Sequence, residues 1–241
     1  RIVGGAVRNA LVGRAVNEVD VATSALPHEI MRRAERAGIR SVPTGIDHGT
    51  VTLVVESHPF EITTLREDTE TFGRKAKVAF GRDWVRDAER RDFTINGLSV
   101  DAGGVVHDHV GGLADIEARR VRFIGDAGQR IAEDYLRILR FFRFFAQYGH
   151  GMPDAEGLAA CAELKAGIAR LSAERIGAEM DAILRNAGLT EGTIGARVQQ
   201  LAKSPERLVP VGFGPVAMNT LRVGLGLVFL RQASLAEGGT F

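Results

Sequence analysis

Two apolar, β-branched runs, Val51–Val55 and Phe60–Leu65, flank the polar stretch Glu56-Ser57-His58-Pro59, a pattern that predicts a hairpin. Ile2-Val3 reads as a strand running into a turn at Gly4-Gly5, with a helix expected at Asn9–Leu11. Leu26–Gly38 opens with Ala25-Leu26-Pro27 and closes on glycine, as helices do. Gly103-Gly104 and Gly111-Gly112 mark turns. From Gln129 the period changes to that of a helix. Ile131, Leu136, Ile138, Leu139, Phe142 and Phe145 form one apolar stripe, which Gly149 and Gly151 end. Leu158–Ala169 reads as a second helix, and Ser172 as the cap of a third. Beyond Arg185 the pattern is irregular, with a Gly/Pro/Val cluster over Val209–Pro215 and a glycine-rich tail. The expectation is an α+β region of about 115 residues followed by helices.

Composition changes this picture little. The chain has 241 residues and ordinary hydrophobic and charged fractions, so a soluble globular protein is expected. No apolar run reaches the roughly 18 residues of a membrane span, and Val223–Leu230 is short and broken by glycines. The single cysteine, Cys161, reads as core packing and suits a reducing, cytoplasmic location. The start at Arg1, without an initiator methionine, reads as a clipped N-terminus, and no signal peptide is evident. Formal net charge is +1, so contact with nucleic acid has to come from local patches.

Several constellations carry chemistry. The turn Gly4-Gly5-Ala6-Val7-Arg8 brings bare backbone and an arginine together, which suits a triphosphate or, equally, an ordinary tight turn. In Glu18-Val19-Asp20, a strand would aim both carboxylates to one side, with Val19 and Val21 alternating inward. Two acids that close favour a hard cation such as Mg²⁺, though a solvated strand end has the same pattern. Glu61, on a neighbouring predicted strand, is a candidate third acid. Arg90-Arg91-Asp92-Phe93-Thr94-Ile95-Asn96 offers guanidinium forks for phosphates, and Asp92 and Asn96 for sugar hydroxyls; a surface ion-pair cluster is the alternative. In Glu133–Arg143, Asp134 and Arg137 stand three apart on one predicted helix and can pair with the edge of a base, Arg140 borders them, and Arg143 drifts off that face. The alternative is a Glu133–Arg137 salt bridge. His107-Asp108-His109 lacks further ligands at helical spacing and reads as a turn.

In this order, Gly-Gly-Ala-Val-Arg, Glu-x-Asp with Val21–Ser24, Gly45–Thr52, Arg90–Asn96, Glu133–Arg143 and Leu171–Ile176 resemble the class II CCA-adding enzymes and bacterial poly(A) polymerases. The likeness runs from residue 1 to about Leu184. It implies a polymerase-β-like head, a mixed or antiparallel sheet with flanking helices, over residues 1–118, an all-helical neck over 119–185, and a divergent or truncated segment over 186–241. It implies a Mg²⁺-dependent enzyme that adds C, C and A to tRNA from CTP and ATP. It places metal ligation on Glu18 and Asp20, with Glu61 as a further catalytic acid. Nucleotide contacts fall on Gly5, Arg8, Arg91 and Asp92. Base selection falls on Asp134 and Arg137, with Arg140 and Arg143 alongside, and a hinge on Asp108–Asp115. Glu18 stands where the family has Asp. No DNA or membrane partner is expected. Poly(A) addition and a non-catalytic RNA-binding remnant remain as alternatives.

Overall fold

The first strand, β1 (Ile2–Val3), turns directly into α1 (Gly5–Leu11) because Gly4 takes φ +66°, a left-handed value that glycine adopts without penalty. The helix thus begins four residues earlier than the pattern predicts. The structure, a computed structural model, describes residues 1–68 and 78–186, which divide into two compact units, Arg1–Asp126 and one beginning at Ala127. The irregular segment expected after Arg185 lies, but for Asn186, outside the described residues.

In the first unit, β2 (Asp20–Thr23) leads to α2 (Pro27–Arg36), which buries Ile30 and Ala34, four residues apart on one face. Left-handed Gly38 ends α2, and the Ile39 amide returns to the Ala34 carbonyl at 2.8 Å. Strands β3 (Arg40–Gly45), β4 (Thr50–Val55) and β5 (His58–Thr64) follow, then the ribbon of β6 (Arg66–Asp68) and β7 (Val78–Phe80). Helix α3 (Trp84–Glu89), strands β8 (Ser99–Val100) and β9 (Val106–His107), and α4 (Gly112–Glu117) complete the unit. The main sheet has the order β3-β4-β5-β2-β1-β8-β9 and is mixed: β2 and β5 run parallel, and every other neighbouring pair is antiparallel. This is the expected mixed sheet with flanking helices.

The β4–β5 hairpin is tighter than its polar stretch suggests. His58 and Pro59 already pair with Val55 and Val54, so only Glu56 and Ser57 form the turn, at φ 49° and 66°. Two left-handed residues match the twist of the flanking strands.

The second unit holds α5 (Ala127–Glu133), α6 (Leu136–Tyr148), α7 (Ala155–Glu163) and α8 (Ala173–Asn186). The expected continuous helix from Gln129 is broken at Asp134-Tyr135, where the Leu136 amide donates to Asp134 Oδ1 at 3.2 Å. The break shifts the helical phase, so α6 buries Phe141 and Phe144 beside Ile138, Leu139 and Phe145. Leu136 and Phe142 are only half-buried. The second predicted helix is also two pieces: α7, capped by Asp154 through the Gly157 amide at 2.9 Å, and a 3₁₀ segment over Lys165–Arg170. Gly167 sits there against the Tyr135 ring, where a Cβ would come within 2.0 Å of the ring carbons. Cys161 is fully buried, which pushes its thiol up to about 12. Among the described residues no helix is long and apolar enough to cross a membrane.

The hairpin turn yields a prediction. Ser57→Gly removes the left-handed penalty and should raise stability to urea by about 1 kcal/mol, read from the shift in midpoint at constant m.

Candidate active site

The sheet brings two of the three sequence-predicted acids together. Asp20 on β2 and Glu61 on β5 are register partners across the parallel pair, and both are exposed. Residues in register project to the same side of a sheet, so the carboxylates share one face. Asp20 also faces Val3 on β1. Two residues past Asp20 lies buried Ala22, and four past Glu61, just beyond the end of β5, lies buried Leu65; with Val3 they form a small core against which Trp84 packs. One face therefore grades from packed core to a pair of acids.

Glu18 is placed differently from the expectation. The strand begins at Asp20, and Glu18 is exposed in the preceding connection. The physical reason is the length of β1: its ladder ends at Val3, opposite Asp20, because Gly4 turns the chain away. Val19 and Val21 are half-buried, and the inward residue is Ala22, on the side of Asp20. Among the described residues no three acids gather closely enough to hold a metal ion. The donor chemistry, hard carboxylate oxygens from Asp20 and Glu61 with Glu18 two residues upstream, does suit a divalent cation.

The glycine turn and the Arg90–Asn96 segment form one network. The Gly4 amide donates to the Leu98 carbonyl at 3.1 Å, and Arg91 Nη1 lies 2.9 Å from where a Cβ on Gly4 would sit. Gly5 opens α1. Arg8 is buried; its Nη1 donates to Asn96 Oδ1 and its Nη2 to Asn9 Oδ1 at 3.0 Å. Asn96 Nδ2 donates to Asp92 Oδ1 at 2.8 Å, and Asp92 also accepts from the Phe93 amide at 2.9 Å. Asp92 and Asn96, candidates for sugar hydroxyls, thus face each other inside the protein and brace Arg8.

Asp87 was not among the predicted site residues. It is 4% exposed and accepts from Arg90 Nη2 at 2.6 Å, Arg91 Nη2 at 3.2 Å and the Arg66 amide at 3.4 Å. Burial pushes its carboxyl up, but the two guanidiniums and these hydrogen bonds outweigh it and hold it below the usual range. The signal was the spacing: an acid three and four residues before two arginines on a helix.

The Asp108–Asp115 stretch, expected as a hinge, is closely bonded in this structure. Asp108 accepts four backbone amides, from Val110, Gly111, Gly112 and Leu113, at 2.9–3.0 Å. Burial raises its carboxyl and the four amides lower it further, to a net depression. Asp115, fully buried, accepts from Thr94 Oγ1 at 2.6 Å, Arg120 Nε at 2.6 Å and Arg122 Nε at 3.1 Å. His107, which lies on β9 rather than in the expected turn, donates from Nε2 to Asp101 Oδ2 at 2.7 Å.

In the helical unit, Asp134 and Arg137 are not neighbours on one helix, because Asp134 lies in the break. Asp134 Oδ2 meets Arg175 Nη2 of α8 at 2.8 Å. Arg137 Nη1 donates to Glu133 and, at 2.7 Å, to the Arg130 carbonyl. Arg143 pairs with buried Glu179 of α8, whose other oxygen is 3.9 Å from Arg140 Nη1. Arg140 and Arg143 thus converge on one carboxylate. Arg175 and Glu179 escape local reading because they stand 41 and 36 residues from their partners.

Comparison with known proteins agrees with this fold. Residues 1–122 match the family model described as the poly(A) polymerase head domain. The "CCA tRNA nucleotidyltransferase 1, mitochondrial" of Danio rerio is 45% identical over 187 residues, 76% of this chain and 43% of its own length. The CCA-adding enzyme of Geobacillus kaustophilus is 40% identical over 184 residues, again 76% of this chain and 44% of its own. Among solved structures, the Bacillus stearothermophilus CCA-adding enzyme in complex with CTP superposes with TM-score 0.68 at 36% identity, over 76% of this chain and 43% of that one. The chain spans less than half the length of the curated relatives it matches.

Two predictions follow from the buried ion pairs. Because the Asp87 carboxyl is depressed, its contribution is present above the unfolded value near about 3.9 and is lost as pH falls through the folded value. Asp87→Asn should therefore flatten the acid limb of the stability curve measured by urea midpoints between about pH 5 and 2. Glu179→Gln, which leaves two guanidiniums with a neutral partner, should cost about 2 kcal/mol in the same assay at pH 7.

Proposed function

The chain belongs to the poly(A) polymerase head-domain family, and on that premise we propose that it is the nucleotide-adding part of a CCA tRNA nucleotidyltransferase. The observation that carries the reading is the register of Asp20 with Glu61 on an exposed sheet face, one residue along β1 from the Gly4-Gly5 turn. The names of the relatives support tRNA as the acceptor and CCA as what is added, and solved complexes of CCA-adding enzymes with CTP and with ATP support these nucleotides as donors. The head spans residues 1–118 and the neck 119–185 in this reading, and its cytoplasmic location rests on the single cysteine.

The 3′-hydroxyl of the acceptor attacks the α-phosphate of the bound nucleotide, the new P–O bond forms, and pyrophosphate leaves. Asp20 and Glu61, with Glu18 from the preceding connection, would hold Mg²⁺, which supplies charge neutralisation at the α-phosphate and a lowered hydroxyl pKa when bound. Arg91, oriented by Asp87 against the bare backbone of Gly4, offers its fork to the triphosphate, and Gly5 lets the backbone of α1 come close. Arg8 and Asp92 act behind this surface: their mutual bridge through Asn96 fixes the turn rather than the ligand. Asp134 and Arg137 select the base once Arg175 and Glu133 release them, and Arg140 and Arg143 hold α6 against α8 through Glu179.

Incubation of the chain with Mg²⁺ and a tRNA lacking its 3′ end, first with CTP alone and then with ATP, should add two C residues and then one A. Long A tails from ATP alone would replace this reading with poly(A) polymerase. No incorporation by either route would leave the RNA-binding remnant. Asp20→Asn should lower incorporation by about 100-fold or more. Glu18→Asp should change it by less than about threefold, since the flanking connection, unlike the strand, has no ladder to fix a carboxylate to one length.

A further inference from the structure

A second feature opens on the same sheet face as the acids, at the other end from the glycine turn. It is a cavity of about 580 Å³ lined by Arg1, Arg82, Asp83, Trp84, Val85 and His109. Arg1 is joined to Ala22 by reciprocal backbone hydrogen bonds of 2.8 Å, and Ala22 is two residues past Asp20, a step of about 7 Å along the strand. The Arg1 guanidinium lies over the Trp84 ring, 4.1 Å from its centroid, and its Nη1 is buried without a hydrogen-bond partner. The ring itself rests on Val3, Ala22 and Leu65, so the stack has a rigid floor.

The charge balance favours an anion. Arg82 and His109 are exposed on the rim. The one acid present, Asp83, is engaged in capping α3: it accepts from the Val85 amide at 2.8 Å and stands 3.8 Å from Arg86 Nε. Guanidinium forks suit phosphodiester oxygens, and an arginine layered on an indole presents a flat surface on which a nucleobase stacks. A cationic groove with an aromatic platform is the usual apparatus for a single strand. A free triphosphate is provided for at the opposite end, by Gly4, Gly5 and Arg91. What remains without a place is the strand that delivers the hydroxyl to Asp20 and Glu61.

We propose that Arg1, Arg82, Trp84 and His109 seat the single-stranded 3′ end of the RNA acceptor, one base stacking on the Arg1–Trp84 pair while Arg82 holds an adjoining phosphate. This rests on the nucleotidyltransferase reading for the direction of the strand, and its test is separable from that reading. Trp84 is the only tryptophan in the chain, so its fluorescence reports on the groove alone.

The full chain is titrated with a short single-stranded oligoribonucleotide ending in CC, in the absence of nucleotide. Saturable quenching is expected, weakening with salt. Exposed Arg82→Gln should weaken binding about fivefold and reduce the salt slope by about 0.7, the value for one phosphate contact on a single strand. In steady state the same variant should raise KM for the oligonucleotide several-fold more than KM for ATP. Unchanged fluorescence with an oligonucleotide that is nevertheless extended would overturn the proposal. So would equal quenching by ATP or tripolyphosphate alone, or an Arg82→Gln variant with the wild-type salt slope and oligonucleotide KM. Quenching by the oligonucleotide without any extension would keep the groove and defeat the catalytic reading instead.

Discussion

The site depends on one close approach. Arg91 Nη1 stands 2.9 Å from the position a Cβ of Gly4 would take, so the guanidinium can rest against the turn only because that residue has no side chain. The contact joins two segments almost ninety residues apart. Asp87 holds Arg91 from below, and the Arg8–Asn96–Asp92 chain ties α1 to the segment after α3. Each polar group in this chain is buried with a partner, which is the condition under which such a network rigidifies rather than destabilises. Loosening any member leaves a charge or an amide without its complement.

Around this anchor the first unit separates its tasks by position on one sheet. The turn at the end of β1 offers backbone and arginine, the middle of the face offers carboxylates, and the far end offers a stacked cation beside a cavity. The second unit follows another logic. Arg140 and Arg143 are held by Glu179 of α8 and Asp134 by Arg175, so that α6 and the break before it are oriented by partners distant in sequence. Net charge near zero is compatible with both arrangements, because Arg90 and Arg91 share Asp87 while Arg140 and Arg143 share Glu179.

Strands and turns were legible because their signals are local: alternation, β-branching and glycine at left-handed positions. The hairpin and α2 followed from those rules, whereas the mixed sheet was implied by the family resemblance. The register of Asp20 with Glu61 was legible only as a possibility of adjacent strands. Periodicity failed where it averages over a break. Asp134-Tyr135 interrupts the helix without glycine or proline, so the stripe was counted in the wrong phase and Phe141 and Phe144 were missed. Glu18 misled for a different reason: an E-x-D pattern carries no sign of how far the partner strand extends, and β1 stops at Val3. Asp87 could have been found from its helical spacing. Glu179 and Arg175 could not, since nothing within a turn of Arg143 or Asp134 points to them.

The acids and the core share a parity: Asp20 with Ala22 on β2, and Glu61 on β5 with Leu65 just beyond its end. A one-residue slip of either strand would turn its acid to the opposite side and expose the residue that should be packed. Misregistered chains would therefore be unstable as well as inactive, and quality control that removes poorly packed protein would also remove them. The surviving population is screened for chemical competence by the same packing that makes it fold.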